Sequence, residues 1–246
     1  MNKVALVTGA AGGVGQSITR VLASEGWEVV VVGRSAERLQ AAFGQQHHQI
    51  VADCSTPEGV ASLFASLSSQ SLQPVALAHC VGNIRLGAAH RMSPADFNDC
   101  LTANLVSAFH TLAGFTGSLR SAGVGGAAVF VSSAAARIGT PNHEAVAAAK
   151  AGVEGLVRSA AATYASAGIR FNVVAPGLME TPASERLISV PAARDAAARQ
   201  YPLPGIGQPD ELAELMAWLL SDKAARVTGQ VWALDGGFSA IRPLVK

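Results

Sequence analysis

The chain has 246 residues, of which half are apolar and 14% are charged, so it can bury a substantial single core. Its 18 lysines and arginines nearly balance its 17 aspartates and glutamates, and no net field favours nucleic acid or an anionic membrane. Apolar runs stay well short of the roughly eighteen residues that a membrane span needs. We therefore expect a cytoplasmic protein that binds no nucleic acid and no membrane.

Three cysteines, Cys54, Cys80 and Cys100, are odd in number and widely spaced along the chain. That pattern is typical of small buried side chains in a reducing compartment, and it predicts neither a disulfide framework nor a zinc site. No metal site is expected.

Short runs rich in valine and isoleucine alternate with longer alanine-rich stretches of helical character. The predicted strands are 4–8, 28–33, 49–53, 75–80, 127–132, 169–175 and 231–234. The predicted helices are 14–26, 35–43, 57–70, 94–122, 142–167 and 209–221. Strands without polar alternation are buried on both faces, and strand–helix alternation indicates parallel pairing. We predict an α/β, single-domain, doubly wound fold over residues 1–246, with a mostly or wholly parallel seven-stranded sheet.

Residues 178–206 interrupt this alternation, because four prolines separate short helical pieces there. We interpret the segment as a flap that covers a substrate, and it is called the flap below.

A glycine-rich turn directly follows the first predicted strand and leads into the first predicted helix. Its residues are Thr8, Gly9, Ala10, Ala11, Gly12, Gly13, Val14 and Gly15. Glycines permit a tight turn and a close approach of the backbone to a pyrophosphate, which the free N–H groups of a helix N-terminus then bind. Although glycines also make ordinary turns, this strand–turn–helix context favours a dinucleotide site.

The second predicted strand ends at Gly33, and Arg34 and Ser35 follow it. Sites selective for NAD usually place an acid here for the ribose 2′-hydroxyl, whereas an arginine suits a 2′-phosphate. The sequence therefore favours NADP(H) over NAD(H). The alternative is that Arg34 is merely solvated and Ser35 caps the next helix.

Asp53, at the end of the third predicted strand, is a candidate acceptor for the adenine amino group, with Cys54 offering a backbone N–H. Asp53 serves equally well as an ordinary turn or cap residue.

Further motifs extend over most of the chain. They are Asn104 in Thr102-Ala103-Asn104-Leu105, Ser132-Ser133, Lys150, Asn172 to Gly177, Gly207-Gln208-Pro209 and Leu234-Asp235-Gly236-Gly237. Together with the glycine-rich turn and Asp53, their spacing resembles that of the short-chain dehydrogenases/reductases from Val4 to about Phe238. The resemblance implies a Rossmann fold, hydride transfer between NAD(P) and a carbonyl, alcohol or activated double bond, and a homotetramer or homodimer.

The resemblance also implies roles for individual residues. Ser133 would bind the substrate oxygen, Lys150 the nicotinamide ribose, and Asn104 a water that links Lys150 to solvent. Pro176 and Gly177 would border the nicotinamide, and Thr181 would bond its carboxamide.

Two positions depart from the family pattern. The family's tyrosine, four residues before the lysine, is replaced by Val146, which can neither donate nor accept a proton. The segment His79-Cys80-Val81-Gly82 stands where the family usually has Asn-Asn-Ala-Gly.

His143 is a candidate replacement for the missing acid. Enoyl-thioester reductases of the same superfamily carry their tyrosine seven residues before the lysine, and His143 has that spacing from Lys150. Histidine can donate a proton near neutral pH, with Glu144 or Ser133 to orient it. The alternative is that His143 and Glu144 merely begin a helix whose N-cap is Asn142.

Two functions remain open at this point. One is an NADP(H)-dependent oxidoreductase acting on a small carbonyl, alcohol or activated alkene with an atypical proton donor. The other is a protein of the same fold that binds NADP(H) as a scaffold or sensor without turnover.

Overall fold

A computed structural model describes residues 3–242, and over that range seven parallel strands form one sheet. The spatial order of the strands is β3-β2-β1-β4-β5-β6-β7. The strands are β1 (Val4–Thr8), β2 (Glu28–Gly33), β3 (His48–Val51), β4 (Pro74–His79), β5 (Gly126–Val131), β6 (Ile169–Pro176) and β7 (Val231–Leu234). The predicted fold class is confirmed.

Helices connect the strands, and several of them begin where the sequence supplies a capping side chain. They are α1 (Gly13–Ser24), α2 (Ala36–Phe43), α3 (Pro57–Ser69), α4 (Pro94–Leu101), α5 (Ser107–Ala122), α6 (Glu144–Tyr164), α7 (Glu185–Ile188), α8 (Pro191–Ala198) and α9 (Pro209–Leu220). The side chains of Ser35, Thr56 and Ser93 accept hydrogen bonds from backbone N–H groups in the first turns of α2, α3 and α4, as good N-caps do. None of the helices in residues 3–242 is long and apolar enough to cross a membrane.

Two apolar clusters cover the two faces of the sheet. One joins the strands to α3, α5 and α6 through residues such as Leu63, Phe115 and Val157. The other joins them to α1, α2 and α9 through residues such as Ile18 and Met216. The β-strands are buried between these two layers, which explains why their sequences are nearly continuous apolar runs.

The strand order reverses direction between β1 and β4, since the chain winds outward to β3 on one side and to β7 on the other. In doubly wound sheets a crevice opens at the carboxyl ends of the strands at such a point. Here the residues that follow β1 and β4 are Gly9 and Cys80. The topology therefore puts the glycine-rich turn and the His79–Gly82 segment side by side.

The predicted helix 94–122 is one helical column with an irregular centre. A π-turn, Thr102–Val106, separates α4 from α5, and the backbone N–H of Ser107 bonds to Thr102 O, five residues back. Such single π-turns occur frequently at functional sites.

The predicted helix start at Asn142 is wrong by two residues. Asn142 has a φ of +63°, so it forms a left-handed turn and cannot serve as the N-cap. The helix α6 begins at Glu144, and His143 takes the N-cap position without a side-chain cap.

The flap leaves the sheet after β6 and returns to the place where it left. Met179 and Gly207 form a parallel bridge at its base, while α7 and α8 lie between them. Arg194 of α8 donates to both carboxylate oxygens of Glu180, at 2.8 and 2.6 Å. Glu180 also accepts from Gln208 Nε2 at 3.0 Å, so both ends of the flap are tied to its middle.

Candidate active site

The glycine-rich turn has the backbone geometry that its sequence predicts. Gly9 has a φ of +69°, and a side chain there would stand 2.7 Å from the backbone carbonyl of Cys80. Only glycine fits such a position without strain. The helix α1 begins at Gly13, and its first N–H groups have no helical partner of their own. The turn therefore presents backbone donors at the crevice between β1 and β4.

A cavity of about 470 Å³ lies over this turn and the ends of β2 and β3. It brings together five of the predicted cofactor residues, Gly9, Arg34, Ser35, Asp53 and Cys54. It also includes residues that were not predicted as ligands, namely Ala11, Gly12, Val32, Gly33, Arg38, Ala52, Cys80, Val81 and Gly82. Its volume falls within the range of small-molecule and cofactor pockets.

Two arginines give this cavity a positive end. Arg34 follows β2 directly, and Arg38 lies one helical turn further on in α2. Within residues 3–242, no salt bridge joins either guanidinium to a carboxylate. Ser35 Oγ accepts from Arg38 N at 3.2 Å, so the capping role considered for Ser35 is present. Arg38 could have been found because it lies in the first turn of the helix that Ser35 caps, directly after Arg34.

Asp53 is held by its own turn. Its Oδ1 accepts from Ser55 N at 2.9 Å and from Ser55 Oγ at 2.7 Å. Burial alone raises the pKa of Asp53, but these hydrogen bonds and the charge of Arg34 outweigh it and lower the pKa. Asp53 therefore stabilises its own turn, which was one of its two predicted roles, and its ionised carboxylate also lines the cavity.

The cysteine thiols near the cavity are protonated at neutral pH. Burial raises the pKa of Cys54 to about 11 and that of Cys80 to about 12. Cys54, Cys80 and Cys100 are all free thiols. No group of three or more metal-ligating side chains occurs in the described part of the chain.

Lys150 and Asn104 meet beside Gly82, at the edge of the cavity. A side chain on Gly82 would start 2.5 Å from Asn104 Oδ1 and 3.3 Å from Lys150 Nζ. Lys150 Nζ donates to Val131 O at 2.8 Å, and burial lowers the pKa of Lys150 to about 8 against the opposing effects of Cys80 and Cys100.

The Asn104 amide is fixed by its nitrogen, which donates to Cys100 O at 2.9 Å and to Asn83 O at 3.1 Å. Its Oδ1 is buried and has no hydrogen-bond partner within residues 3–242. A buried acceptor without a partner is costly, so this oxygen fits a water or a ligand hydroxyl between Asn104 and Lys150.

Ser133 lies two residues after the end of β5 and caps a short 3₁₀ turn. Its Oγ accepts from Ala135 N at 3.2 Å, which leaves the hydroxyl proton available to another acceptor. The preceding Ser132 is buried, and its single hydroxyl hydrogen is directed at Glu154 Oε1 at 2.9 Å, with Lys150 O as a second, longer acceptor at 3.3 Å. These bonds anchor the Ser133 backbone to the helix that carries Lys150.

His143 lies at the start of α6, two helical turns before Lys150. Its Nδ1 lies 2.8 Å from Pro141 O, so Nδ1 carries a proton and Nε2 is the free nitrogen. The expectation that Glu144 or Ser133 orients His143 is wrong. Glu144 instead accepts from Ala89 N at 3.3 Å, while the Ser133 hydroxyl takes part in its own turn.

Val146 belongs to a small apolar cluster between α4 and α6. It is buried with Cys100, Ala145 and Ala149, and Met92, Leu101 and Leu105 pack against them. Val146 thus packs among apolar side chains, and burial raises the pKa of the Cys100 thiol in the same cluster.

Thr8, the first residue of the glycine-rich turn and the last of β1, is fully buried. Its Oγ1 lies 2.9 Å from Nδ1 of His79, which is itself buried. His79 thus has a hydrogen-bond partner in the first strand, an observation that the sequence alone did not explain.

The remaining predicted residues surround the turn. Gly13 faces Thr181, whose Cγ2 would be 2.9 Å from a side chain there. Val14 packs against the apolar layer of α1 and α9, and Gly15 lies closely over Ala10. Pro176 ends β6.

Gly177 follows β6, bonded through its N–H to Leu234 O at 3.1 Å. Thr181 Oγ1 is 3.0 Å from Ser184 Oγ, a bond that closes a short turn at the beginning of the flap.

Comparisons with known proteins agree with this architecture. A family profile described as Enoyl-(Acyl carrier protein) reductase matches residues 9–239. A cis-4-hydroxycyclohexanecarboxylate dehydrogenase of Sinomonas cyclohexanicum is 35% identical, with 97% of each chain covered. A cyclohexanol dehydrogenase of an Acinetobacter strain is 32% identical, over 97% of this chain and 96% of the relative. The ligand-free aldohexose dehydrogenase of Thermoplasma acidophilum superposes with a TM-score of 0.90 at 27% identity, covering 100% of this chain and 97% of that one.

The sheet order and the crevice at β1 and β4 define a dinucleotide-fold oxidoreductase. The chain belongs to the short-chain dehydrogenase/reductase family, whose members bind NAD(P). The resemblance stated from the sequence is confirmed at that level.

Proposed function

We propose that this chain is an NADP(H)-dependent oxidoreductase that interconverts a small carbonyl compound and its alcohol, or reduces an activated alkene. One observation carries the proposal: a single cavity is lined by the glycine-rich turn, by Arg34 and Arg38 and by Gly82, beside which Lys150 and Asn104 Oδ1 meet. Within residues 3–242 the two arginines have no salt bridge and Asn104 Oδ1 has no hydrogen-bond partner.

The residues fit the phosphorylated cofactor. Gly33 stands where an acid would repel a 2′-phosphate, and Arg34 and Arg38 supply the opposite charge. Arginine binds phosphate strongly because its guanidinium offers several donors in one plane. Thr8, Gly9, Gly13, Val14 and Gly15 build the turn for the pyrophosphate.

Two further sets of residues extend the proposed cofactor site. Ser35, Asp53 and Cys54 border the adenosine end, while Pro176, Gly177 and Thr181 border the nicotinamide.

A bound nicotinamide supplies or accepts the hydride, and the protein must then handle the oxygen and the proton. The free hydroxyl proton of Ser133 stabilises the negative charge on the substrate oxygen. Lys150 holds the nicotinamide ribose, and its buried amine, with a lowered pKa, exchanges protons near neutral pH. Asn104 Oδ1 accepts from the water that connects Lys150 to solvent.

His143 is the proposed proton donor. It stands on the same side of α6 as Lys150, because seven residues make almost two complete helical turns. Pro141 O accepts the Nδ1 hydrogen, so Nε2 donates to the substrate oxygen from the doubly protonated imidazolium and takes a proton when the alcohol is oxidised. We expect His143→Ala to lower kcat for carbonyl reduction by 10²-fold or more, the usual loss for a general acid. His143→Gln, which cannot titrate, serves as the matched variant, and unchanged turnover in both would remove His143 from the mechanism.

The substrate is proposed to be an alicyclic ketone or alcohol. Two relatives bear names of enzymes acting on hydroxylated cyclohexanes, and exposed apolar side chains occur on the loops near His143. Gly87 N donates to Asn142 O at 2.9 Å, which joins the loop that carries Ile84 and Leu86 to the loop that follows Ile138. All three are exposed.

The test of the whole proposal is NADPH oxidation with cyclohexanone and 4-oxocyclohexanecarboxylate, compared with an open-chain ketone, an enone and NADH. Faster turnover of the ring ketones with NADPH is the expected result. In parallel, NADPH at about 100 times its Kd should stabilise the protein by roughly 2.7 kcal/mol, which a thermal shift detects. A thermal shift larger with NADH than with NADPH contradicts the cofactor assignment.

A second candidate function is NADP(H) binding without turnover, and Val146 supports it. Val146 stands at the family's tyrosine position within an apolar cluster. An apolar side chain that packs against its neighbours thus takes the place of the usual proton donor. Val146→Tyr distinguishes the two functions. If it creates ketone reduction where the parent has none, the parent is a binding protein with an otherwise intact site; if it impairs an existing activity, the parent is an enzyme with its own proton donor.

Assembly and location are proposed on more general grounds. Phe97 and Phe109 are 37% and 51% exposed on the adjoining helices α4 and α5, and large exposed apolar side chains on helices suit a subunit interface. We infer a homodimer or homotetramer, to be tested by light scattering. The free thiols suit a reducing compartment such as the cytoplasm.

A further inference from the structure

His79 is a buried imidazole that the proposed mechanism does not use. It ends β4 at 2% exposure, and its ring centroid lies 5.3 Å from that of Phe130. Thr8 Oγ1 is 2.9 Å from its Nδ1, and Ser107 Oγ is 3.3 Å from its Nε2. Both ring nitrogens therefore have partners, one in β1 and one at the start of α5.

The hydrogen bonds define which nitrogen carries the proton. Ser107 Oγ donates its hydrogen to Ala103 O at 2.7 Å, so toward His79 it can only accept. His79 Nε2 must then carry the hydrogen, and Nδ1 accepts from the Thr8 hydroxyl. Burial, and next the charge of Lys150, lower the pKa of His79 to about 3, which keeps this neutral form at all physiological pH values.

The chain of hydrogen bonds ends in the π-turn. The backbone N–H of Ser107 reaches Thr102 O, whereas in an α-helix it would bond to Ala103 O. The hydroxyl of the same serine donates to Ala103 O instead. Ser107 thus stabilises the irregular backbone, and His79 fixes the rotation of the Ser107 hydroxyl.

Asn104 is the central residue of that turn, and its position depends on the turn's shape. A regular α-helix would rotate Asn104 relative to α4, because a π-turn contains one residue more than an α-turn. Its Oδ1 would then leave the space beside Gly82 and Lys150 Nζ.

We propose that His79 is a positioning residue that acts through Ser107: it holds the π-turn Thr102–Val106 so that Asn104 Oδ1 stays next to Lys150 Nζ. The inference rests on the proposed function in that the Asn104–Lys150 pair takes part in turnover. The placement of Asn104 by His79 and Ser107 does not itself require turnover.

The kinetic test uses His79→Phe, which keeps an aromatic ring beside Phe130 and removes both hydrogen bonds. We expect kcat to fall about tenfold, the effect of losing the one hydrogen bond that reaches Ser107 and the π-turn, with the Kd for NADPH changed less than twofold. Ser107→Ala should give a similar loss, and the double variant should be no worse than either single one. His79→Gln, whose amide nitrogen can still donate to Ser107, should recover kcat to within about threefold of the parent.

The matched control is Thr116→Val, also on α5. Thr116 is buried, and its hydroxyl has no hydrogen-bond partner within residues 3–242, so its removal should leave kcat unchanged. Additive losses in His79→Phe and Ser107→Ala, or an equal loss in Thr116→Val, overturn the proposal.

A second measurement does not depend on activity. The lysines are Lys3, Lys150, Lys223 and Lys246, so ¹³C-lysine labelling gives few NMR signals, and Lys150→Met assigns the one from Lys150. Its titration midpoint should rise in His79→Phe and Ser107→Ala as the loosened turn admits water, and stay fixed in Thr116→Val. An unmoved midpoint overturns the positioning role even if the protein shows no turnover, whereas a moved midpoint with no turnover contradicts only the proposed function.

Discussion

Arg34 and Arg38 decide the proposed preference between the two dinucleotides. Both line the cavity at the end of β2, where Gly33 leaves no carboxylate to bond a ribose hydroxyl. Asp53, on the next strand, is committed through Oδ1 to Ser55 and leaves the two guanidinium charges without a salt bridge in the described part of the chain. The pair is therefore suited to a doubly charged phosphate.

We predict that Arg34→Ala raises the Kd for NADPH about ten- to a hundredfold. The reason is the loss of a hydrogen bond between charged groups, which is worth about 1.5–3 kcal/mol. The Kd for NADH should change less than twofold, as measured by quenching of cofactor fluorescence. Arg120→Ala, an exposed arginine at the end of α5, is the control, and an equal loss for NADH and NADPH contradicts the prediction.

The flap is the element whose behaviour depends on one ion pair. Glu180 and Arg194 form two hydrogen bonds across its base and α8, and hydrogen bonds from Arg194 and Gln208 lower the pKa of Glu180 to about 2. Both side chains are about 40% exposed. Exposed pairs add little to global stability, so the consequence of this one is local.

Replacing Arg194 with methionine should free α8 without unfolding the protein. Amide hydrogen exchange in residues 185–198 should accelerate, and KM for the substrate should rise severalfold, while the global melting temperature stays nearly constant. Arg199→Met, an exposed neighbour in the same segment, should change neither quantity. A large drop in melting temperature would show instead that the pair supports the whole fold.

Regular elements were the part of the fold that the sequence predicted best. The limits of β1, β2 and β7 agree with the predicted 4–8, 28–33 and 231–234, because buried parallel strands leave compact apolar runs between glycines and charges. The π-turn was not predicted, since one extra residue hardly disturbs the apolar periodicity of residues 94–122. It depends on bonds to His79, which is distant in sequence.

The same contrast holds within the candidate site. The glycine-rich turn was evident because its geometry is local to consecutive residues. The partners of His143 were mistaken, because Glu144 turns toward Ala89 on another loop, a contact that sequence spacing does not reveal. The meeting of Gly82, Asn104 and Lys150 is likewise a product of the sheet order.

At the scale of the whole molecule, the reversal of strand order creates the crevice and also buries a charge beneath it. Lys150 is 8% exposed, with Val131 O as a direct acceptor for its ammonium group. Burying the charged amine lowers the free energy of unfolding, and it also makes the protonation of Lys150 change near neutral pH. The destabilisation caused by the buried ammonium group therefore depends on pH in a defined way.

Burial lowers the pKa of Lys150 from 10.5 to about 8 in the folded protein. Between these values the unfolded chain binds more protons than the folded chain, so the contribution of Lys150 to stability rises with pH from about 8 to 10.5. Below pH 8 the charged amine destabilises the fold, by about 3 kcal/mol at most on the scale of 1.36 kcal/mol per pKa unit.

Lys150→Met should therefore stabilise the cofactor-free protein at pH 7 by up to about 3 kcal/mol, less the loss of the bond to Val131 O. Urea unfolding at pH 7, 8.5 and 10 is the measurement, and the advantage of the variant should shrink as pH increases. Lys223→Met, at an exposed lysine, should show no such trend. A constant difference between Lys150→Met and the parent across this range would mean that Lys150 titrates alike in both states, and that water reaches its amine in the folded protein.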